Sequence, residues 1–139
     1  MSLKQILEEL GTVKTPDHTL DMKVWAALEG HDWPIPHYAQ NFYEAAVRQG
    51  EAACRAATDL GSAMRLADEL LPGVQWQITR ATGTVSCTMT AEVNGYPARS
   101  GEPRAFPVGC EAVAMTHATI ECHVEIQKQY QAWLMSPAP

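Results

Sequence analysis

The chain has 139 residues, of which 46% are hydrophobic and 19% are charged, so we expect one globular domain with its own core. Its net charge of −6 at pH 7 repels phosphate backbones, and direct nucleic-acid binding is therefore not expected. No apolar run approaches the roughly 18 residues of a membrane-spanning helix, which argues against a membrane protein.

Two helices are predicted at the start of the chain. Ser2 can cap a helix over residues 3–10, which Gly11 is expected to end. The sequence Thr15-Pro16-Asp17 combines a cap with proline at the first helical position, so a second helix is predicted from there to about residue 30.

Two more helices follow a proline-stiffened loop over residues 31–38. The first is predicted over residues 39–54, with an interruption at Gly50. The second begins at the cap Thr58-Asp59 and stops at Leu71-Pro72-Gly73. Its predicted apolar stripe consists of Leu60, Met64, Ala67 and Leu71.

The spacing of apolar residues then changes to two, which is typical of strands. A short strand around Trp76 and Ile78 is followed by a turn over residues 81–83 and by a half-buried strand over residues 84–93. Asn94-Gly95 is the preferred two-residue hairpin turn, and it predicts a returning strand over residues 96–100. A last short strand is predicted over residues 104–106.

One long helix is predicted from residue 108 to residue 134. Its two apolar stripes indicate burial on more than one side. Either the helix packs across the sheet and against other helices, or its last turns, with Ile126, Tyr130 and Trp133, pack on a second subunit.

The predicted fold class is therefore α+β. A small antiparallel β-meander or hairpin sheet would be packed by an N-terminal helical region and a long C-terminal helix. Residues 1–139 would form one domain with its core over residues 15–134, and residues 135–139 would be a frayed tail.

The four cysteines, Cys54, Cys87, Cys110 and Cys122, form no C-x-x-C pair. Reduced, structural thiols are the simplest interpretation. The N-terminus leads into an amphipathic helix and not into an apolar leader segment. We therefore expect a cytoplasmic location.

No recognisable catalytic motif is present. His117 and Glu121 are four residues apart and share a helix face, which would suit a metal or acid–base site together with Cys110. However, His123 points away from that face, and no H-E-x-x-H motif accompanies the pair. We predict no metal, no cofactor and no catalytic residue, and the His117–Glu121 pair stays as the alternative enzyme site.

The stretch from His31 to Tyr43 is rich in aromatic residues and contains two prolines. Rigid rings give contact area at a low entropy cost and can stack on nucleobases. The same rings could instead fill the core. The candidate binding residues in this stretch are Trp33, His37, Tyr38 and Tyr43.

A basic excess distinguishes the predicted sheet region from the rest of the chain. Arg99 and Arg104 flank Ser100-Gly101-Glu102, where two guanidinium groups could bind a phosphate or a carboxylate. Solvated surface arginines are the alternative interpretation. Both arginines are candidate ligand-binding residues.

Several short motifs occur in a particular order along residues 19–120. They are Thr19-Leu20-Asp21-Met22-Lys23-Val24, then Trp33 with Pro36-His37-Tyr38, then Asp59-Leu60-Gly61-Ser62-Ala63-Met64, Leu70-Leu71-Pro72-Gly73-Val74-Gln75-Trp76, and an Ala-rich segment over residues 112–118. This order resembles small phage and prophage proteins with a phage ABA sandwich-type domain. The resemblance implies a phage or prophage origin and a helix–sheet–helix layering, and it implies no catalytic residues.

Together these features predict a non-catalytic phage accessory protein that acts by binding. It would inhibit host defence, either by contacting a defence protein or by sequestering a nucleotide-like signal. The alternatives are a small enzyme that uses His117 and Glu121, and a purely structural homo-oligomer.

Overall fold

The computed structural model of the protein describes residues 1–136. The helices are α1 (Leu3–Thr12), α2 (His18–Glu29), α3 (His37–Arg48), a short 3-10 helix (Ala52–Arg55), α4 (Leu60–Leu70) and α5 (Glu111–Leu134). The strands are β1 (Gln75–Ala81), β2 (Thr84–Val93), β3 (Tyr96–Arg99) and β4 (Phe106–Pro107). Of the tail predicted to fray, residues 137–139 lie outside the described residues.

The helix starts follow side-chain caps. The Ser2 hydroxyl accepts a hydrogen bond from the Gln5 N–H, as predicted. The cap of α2 is Asp17, whose carboxylate accepts from the Leu20 N–H at 2.9 Å, so the prediction of Thr15 as the cap is wrong. Gly11 lies inside α1 and does not end it, and its missing side chain leaves room there for the Arg104 guanidinium.

The sheet is an antiparallel meander whose third strand is interrupted. β1 and β3 pair with opposite sides of β2, and β4 also pairs with β2, beyond the end of β3. The chain leaves the sheet after Ser100 and rejoins it at Phe106, two residues later than predicted for the start of this strand. The two hairpin turns are Thr82-Gly83 and Asn94-Gly95, and both glycines have positive φ.

Helix α5 lies between the sheet and the other helices. It packs on β2 and β3 on one side and on α1 and α4 on the other. Its residues 112–120 are all buried, which confirms the prediction of burial on more than one side. The α+β fold, with an N-terminal helical region and a long C-terminal helix, is therefore as predicted.

Two details of the helical packing differ from the predictions. Met64 is 37% exposed, because α4 turns Ala63, Leu66 and Ala67 towards the core instead. No described helix packs on the second face of the sheet, whose residues on β1 and β2 are mostly exposed. The layering is thus sheet, α5, remaining helices, and it differs from the helix–sheet–helix order implied by the resemblance.

A buried carboxylate ties α2 to the chain that precedes α4. Asp21 is fully buried, and its Oδ1 accepts from the N–H groups of Ala57 and Thr58 at 2.9 and 3.1 Å. Its Oδ2 accepts from the Thr58 hydroxyl at 2.6 Å. Because its lone pairs are satisfied by donors of the protein, the carboxylate can stay in the interior.

Candidate functional site

The sheet face that points away from α5, here called the open face, is polar. On β2, Val85, Cys87 and Met89 point to α5 and are buried, so the residues between them must point the other way. The cross-strand register then places residues of β1 and β3 on the same face. The open face therefore carries Gln75, Gln77, Thr79, Ala81, Thr84, Ser86, Thr88, Thr90, Glu92, Pro97 and Arg99.

A shallow concavity of about 500 Å³ lies on the open face. Its lining includes Gln75 and Gln77 from β1, Thr88 and Thr90 from β2, and Arg99 at the end of β3. The concavity is bordered by Ser100, Gly101 and Pro103, where the chain leaves the sheet. Hydroxyl, amide and guanidinium groups thus converge on one depression.

Ser100 is the residue at which the third strand leaves the sheet. Its N–H donates to the Met89 carbonyl, and its hydroxyl accepts from the Met89 N–H, both at 2.9 Å. The side chain therefore takes the place that a backbone carbonyl has in a regular ladder. At Gly101, a Cβ atom would lie 2.7 Å from the Glu121 carboxylate, so a larger residue there would displace the end of the Glu121 side chain.

Among the described residues, Arg99 is the only charged one in the lining of this concavity. No carboxylate within residues 1–136 forms an ion pair with its guanidinium. Glu92, which is diagonal to Arg99 on the open face, and Glu125 of α5 line a neighbouring depression with Arg99, where they would repel an anion. The concavity between β1 and β3 is therefore the side on which Arg99 can receive a negatively charged group.

The predicted aromatic residues lie elsewhere, around the N-terminal ends of α1 and α3. Trp33 stacks under the Lys23 ammonium, 5.4 Å from the ring centroid, and lines a depression with Met1 and Gln5. Tyr43 packs edge-on against Trp25 at 5.3 Å and belongs to a small second apolar cluster. His37 and Tyr38 are exposed on α3.

Arg104 does not share a site with Arg99 or with these aromatic rings. Its guanidinium donates to the Gly11 carbonyl at 3.3 Å, at the C-terminal end of α1. Trp33 lies at the other end of this ten-residue helix, a separation of about 15 Å at 1.5 Å per residue. The structure therefore places Arg99, Arg104 and the aromatic residues in three different places.

His117 and Glu121 do form a pair. The His117 Nδ1 lies 3.2 Å from a Glu121 carboxylate oxygen, and its ring packs edge-on against Phe106 at 5.8 Å. His117 is buried, whereas Glu121 is partly exposed beside Gly101. No three His, Cys, Asp or Glu side chains among the described residues come together in a way that could hold a metal ion.

The four cysteines are free and buried. Burial raises the pKa of the Cys54 and Cys87 thiols to about 11 and that of Cys122 to about 12. Burial likewise raises the pKa of Cys110. These thiols are therefore protonated at neutral pH and do not offer a nucleophilic thiolate.

The end of α5 carries an exposed aromatic ladder. Tyr130 stacks on Trp133 at 6.1 Å and meets Tyr96 of β3 edge-on at 6.3 Å. Trp133 is 62% exposed, whereas Ile126 is partly buried against the main core. Of the three residues predicted to form an oligomer contact, Tyr130 and Trp133 are exposed, and Ile126 packs against the core of its own chain.

A search with this chain finds no matching family model, no matching curated protein and no matching solved structure. The phage resemblance accordingly stays a prediction. Among residues 1–136, no helix has both the length and the hydropathy that a membrane crossing requires.

Sequence reasoning found Arg99 but missed the glutamines and threonines around it. The alternation of Thr and Ser with apolar residues was visible over residues 84–93, and it predicted the exposed face correctly. The register that brings Gln75 and Gln77 beside Thr90 and Thr88 is a tertiary feature. No local motif encodes it.

Proposed function

We propose that this protein is a non-catalytic binding protein that holds a small anionic ligand of nucleotide size on the open face of its sheet. The observation that carries the proposal is the Arg99 guanidinium, which forms no ion pair within residues 1–136 and is the one charged group that these residues contribute to the concavity. In a chain with a net charge of −6, such a site is locally favourable for an anion.

The groups in the concavity fit a phosphorylated ligand. A guanidinium group can bind a phosphate through two parallel hydrogen bonds. The Thr88 and Thr90 hydroxyls and the Gln75 and Gln77 amides can donate to, and accept from, sugar hydroxyls or base edges. A volume of about 500 Å³ lies within the range of small-molecule sites.

The biological role we propose is that of a cytoplasmic phage or prophage protein that sequesters a nucleotide-like signal of host defence. The resemblance over residues 19–120 and the size of the concavity support this role. A role as an inhibitor that contacts a host protein would use another surface. The exposed Tyr38 and Phe42 rings, 65% and 61% exposed, favour that second candidate.

Isothermal titration calorimetry tests the ligand site. We would titrate inorganic phosphate, pyrophosphate and a panel of mono-, di- and cyclic nucleotides into the wild type, Arg99→Ala, Arg99→Lys and Arg104→Ala. At least one nucleotide should bind the wild type, with affinity lost in Arg99→Ala, partly kept in Arg99→Lys and unchanged in Arg104→Ala. Equal affinity of Arg99→Ala and the wild type would contradict the proposal.

The alternative enzyme is favoured by one distance, the 3.2 Å between His117 and Glu121. A histidine paired with a carboxylate can act as a general base. If this pair converted a bound nucleotide to product, Glu121→Gln would abolish product formation, and the variant would still bind the unreacted nucleotide. An intact nucleotide after prolonged incubation with the wild type would speak for binding alone.

A further inference from the structure

Strand β1 is a free edge of the sheet. It pairs with β2 on one side, and no described strand pairs with its other side. Its seven residues contain no proline and no acidic residue, and Arg80 is its single charge. Natural edge strands are usually protected from pairing by prolines, by several charged side chains, by a bulge or by a covering element. A regular and uncovered edge strand such as β1 therefore indicates a pairing partner.

The backbone groups that β1 presents outwards can be deduced from β2. Both the N–H and the carbonyl of Met89 bond to Ser100, on the side away from β1. Trp76, the β1 partner of Met89, is therefore in a non-hydrogen-bonded pair, and its own N–H and carbonyl point away from β2. Because this orientation alternates along a strand, Ile78 and Arg80 also present their backbone groups outwards.

We propose that β1 pairs in antiparallel fashion with β1 of a second copy of this chain, about a two-fold axis at Ile78. In this register Ile78 faces Ile78 of the second copy, and Trp76 faces Arg80. All three outward-pointing residues of each copy then exchange both backbone hydrogen bonds. An isologous interface must pair one surface with an identical copy of itself. The outward residues of β1 meet this condition because they are placed symmetrically about Ile78.

The side chains on the α5 side of β1 fit the same register. Helix α5 packs on β2 and β3, and Trp76 is left 37% exposed. The Arg80 side chain is 62% exposed, and its Nε lies 3.6 Å from Glu111 Oε1 in an ion pair. The exposed plane of its guanidinium group can still lie over the Trp76 ring of the second copy in a cation–π contact. The two Arg80 residues themselves would be four positions apart along the strands, about 13 Å, so like charges do not face each other.

This pairing also completes the proposed ligand site, an extension that rests on the proposed function. On the open face, Gln77 would face Thr79 of the second copy, and Gln75 would face Ala81. Adjacent strands are about 4.8 Å apart, so Thr79 of the second copy would border the concavity that contains Arg99. The two open faces would form one continuous surface with two equivalent sites.

Light scattering during size-exclusion chromatography tests the interface through the mass of the particle. The wild type should have twice the chain mass of 15.2 kDa. Arg80→Pro should have the mass of one chain, because proline removes an outward N–H. The β1–β2 ladder uses residues 75, 77, 79 and 81 and is left intact. Circular dichroism checks that the variant is folded.

An introduced charge supplies a second, independent variant. Trp76→Arg would face Arg80 of the second copy at two equivalent positions and should raise the dissociation constant about tenfold. The double variant Trp76→Arg/Arg80→Gln removes the like charge across the interface without placing a carboxylate beside Glu111, and it should recover the dimer. A double variant as weak as the single one would contradict the register.

Trp133→Arg is the matched control, because it places the same charge on the exposed end of α5. It should remain dimeric. A monomeric wild type, or a dimer that Trp133→Arg dissociates and Arg80→Pro does not, would overturn the proposal. Arg99→Ala should also remain dimeric, so failure of the ligand site and failure of the interface give different results.

Discussion

The two faces of the sheet have opposite character although they are built from the same strands. Towards α5, β2 presents Val85, Cys87 and Met89, which are between 1% and 6% exposed. On the open face the same strand presents hydroxyl groups and the Glu92 carboxylate, and no described helix covers them. One face fixes the register and stability of the sheet, whereas the other is free to bind, because no core residue depends on it.

Alternation makes this division strict. A slip of one residue in the pairing of β2 would move its apolar set to solvent, so the buried face specifies a single register. That register determines which open-face residues become neighbours of Arg99. The buried face thereby builds the candidate site without contributing a functional side chain to it.

The largest difference between the faces should appear in the free energy of unfolding. Met89→Ala removes a buried side chain, whose sulfur also accepts from the Thr119 hydroxyl, and should cost about 2–5 kcal/mol. Thr88→Ala, one residue away on the open face, should cost less than about 0.5 kcal/mol. Urea denaturation of both variants measures the difference, and similar costs would show that the open face is covered in solution.

A smaller effect is expected where the third strand leaves the sheet. Ser100→Ala removes the acceptor of the buried Met89 N–H and should cost about 1–3 kcal/mol. Ser86→Ala, on the open face, is the control and should change stability by less than about 0.5 kcal/mol. If urea denaturation gave equal costs, the Ser100 hydroxyl would not be replacing a ladder acceptor.

The helical side of the molecule should respond to pH where the open face does not. Burial lowers the pKa of His123 below 6.5, so the unfolded chain binds this proton more readily than the folded protein. The His123 contribution is therefore constant above about pH 6.5, and stability falls as the pH drops from there towards the lower folded pKa. Thermal melts at several pH values below about 6.5 measure this fall in stability, which should be absent from His123→Gln. An equal fall in the wild type and in His123→Gln would assign the effect to other groups.

Thiol labelling should distinguish the two faces of the sheet by the reactivity of their side chains, without a change in stability. Burial raises the pKa of Cys87 to about 11, so the native thiol should not react with Ellman's reagent at neutral pH. A thiol introduced by Thr88→Cys lies on the open face and should react promptly. If the cysteine introduced by Thr88→Cys reacted slowly both in the dimer and in the Arg80→Pro background, the side chain of residue 88 would be shielded from solvent and the open face would be covered.

The sequence was a good guide to elements and a poor guide to neighbours. The two-residue period predicted β2, and the glycine turns predicted the hairpins, because both are local signals. The Arg99 site depends on the register of three strands and on the departure of the chain at Ser100, which are not local. The aromatic stretch and the arginines are separated in space because α1 lies between Trp33 and Arg104.

Helix boundaries illustrate the same limit. Gly11 predicted the end of α1, but it continues the helix and accommodates Arg104, a residue 93 positions away. Likewise, nothing in the local sequence marks Asp21 as the carboxylate that holds Ala57 and Thr58. In each case a contact distant in sequence decides the role of the residue.

Native mass spectrometry with added nucleotides tests the central claim most directly, since it reports subunit number and bound ligand together. The wild type and Arg104→Ala should appear as dimers that carry up to one nucleotide per chain. Arg99→Ala should appear as a dimer without ligand. A nucleotide retained equally by Arg99→Ala, or one bound by none of the three proteins, would contradict the assignment of the open face as the binding site.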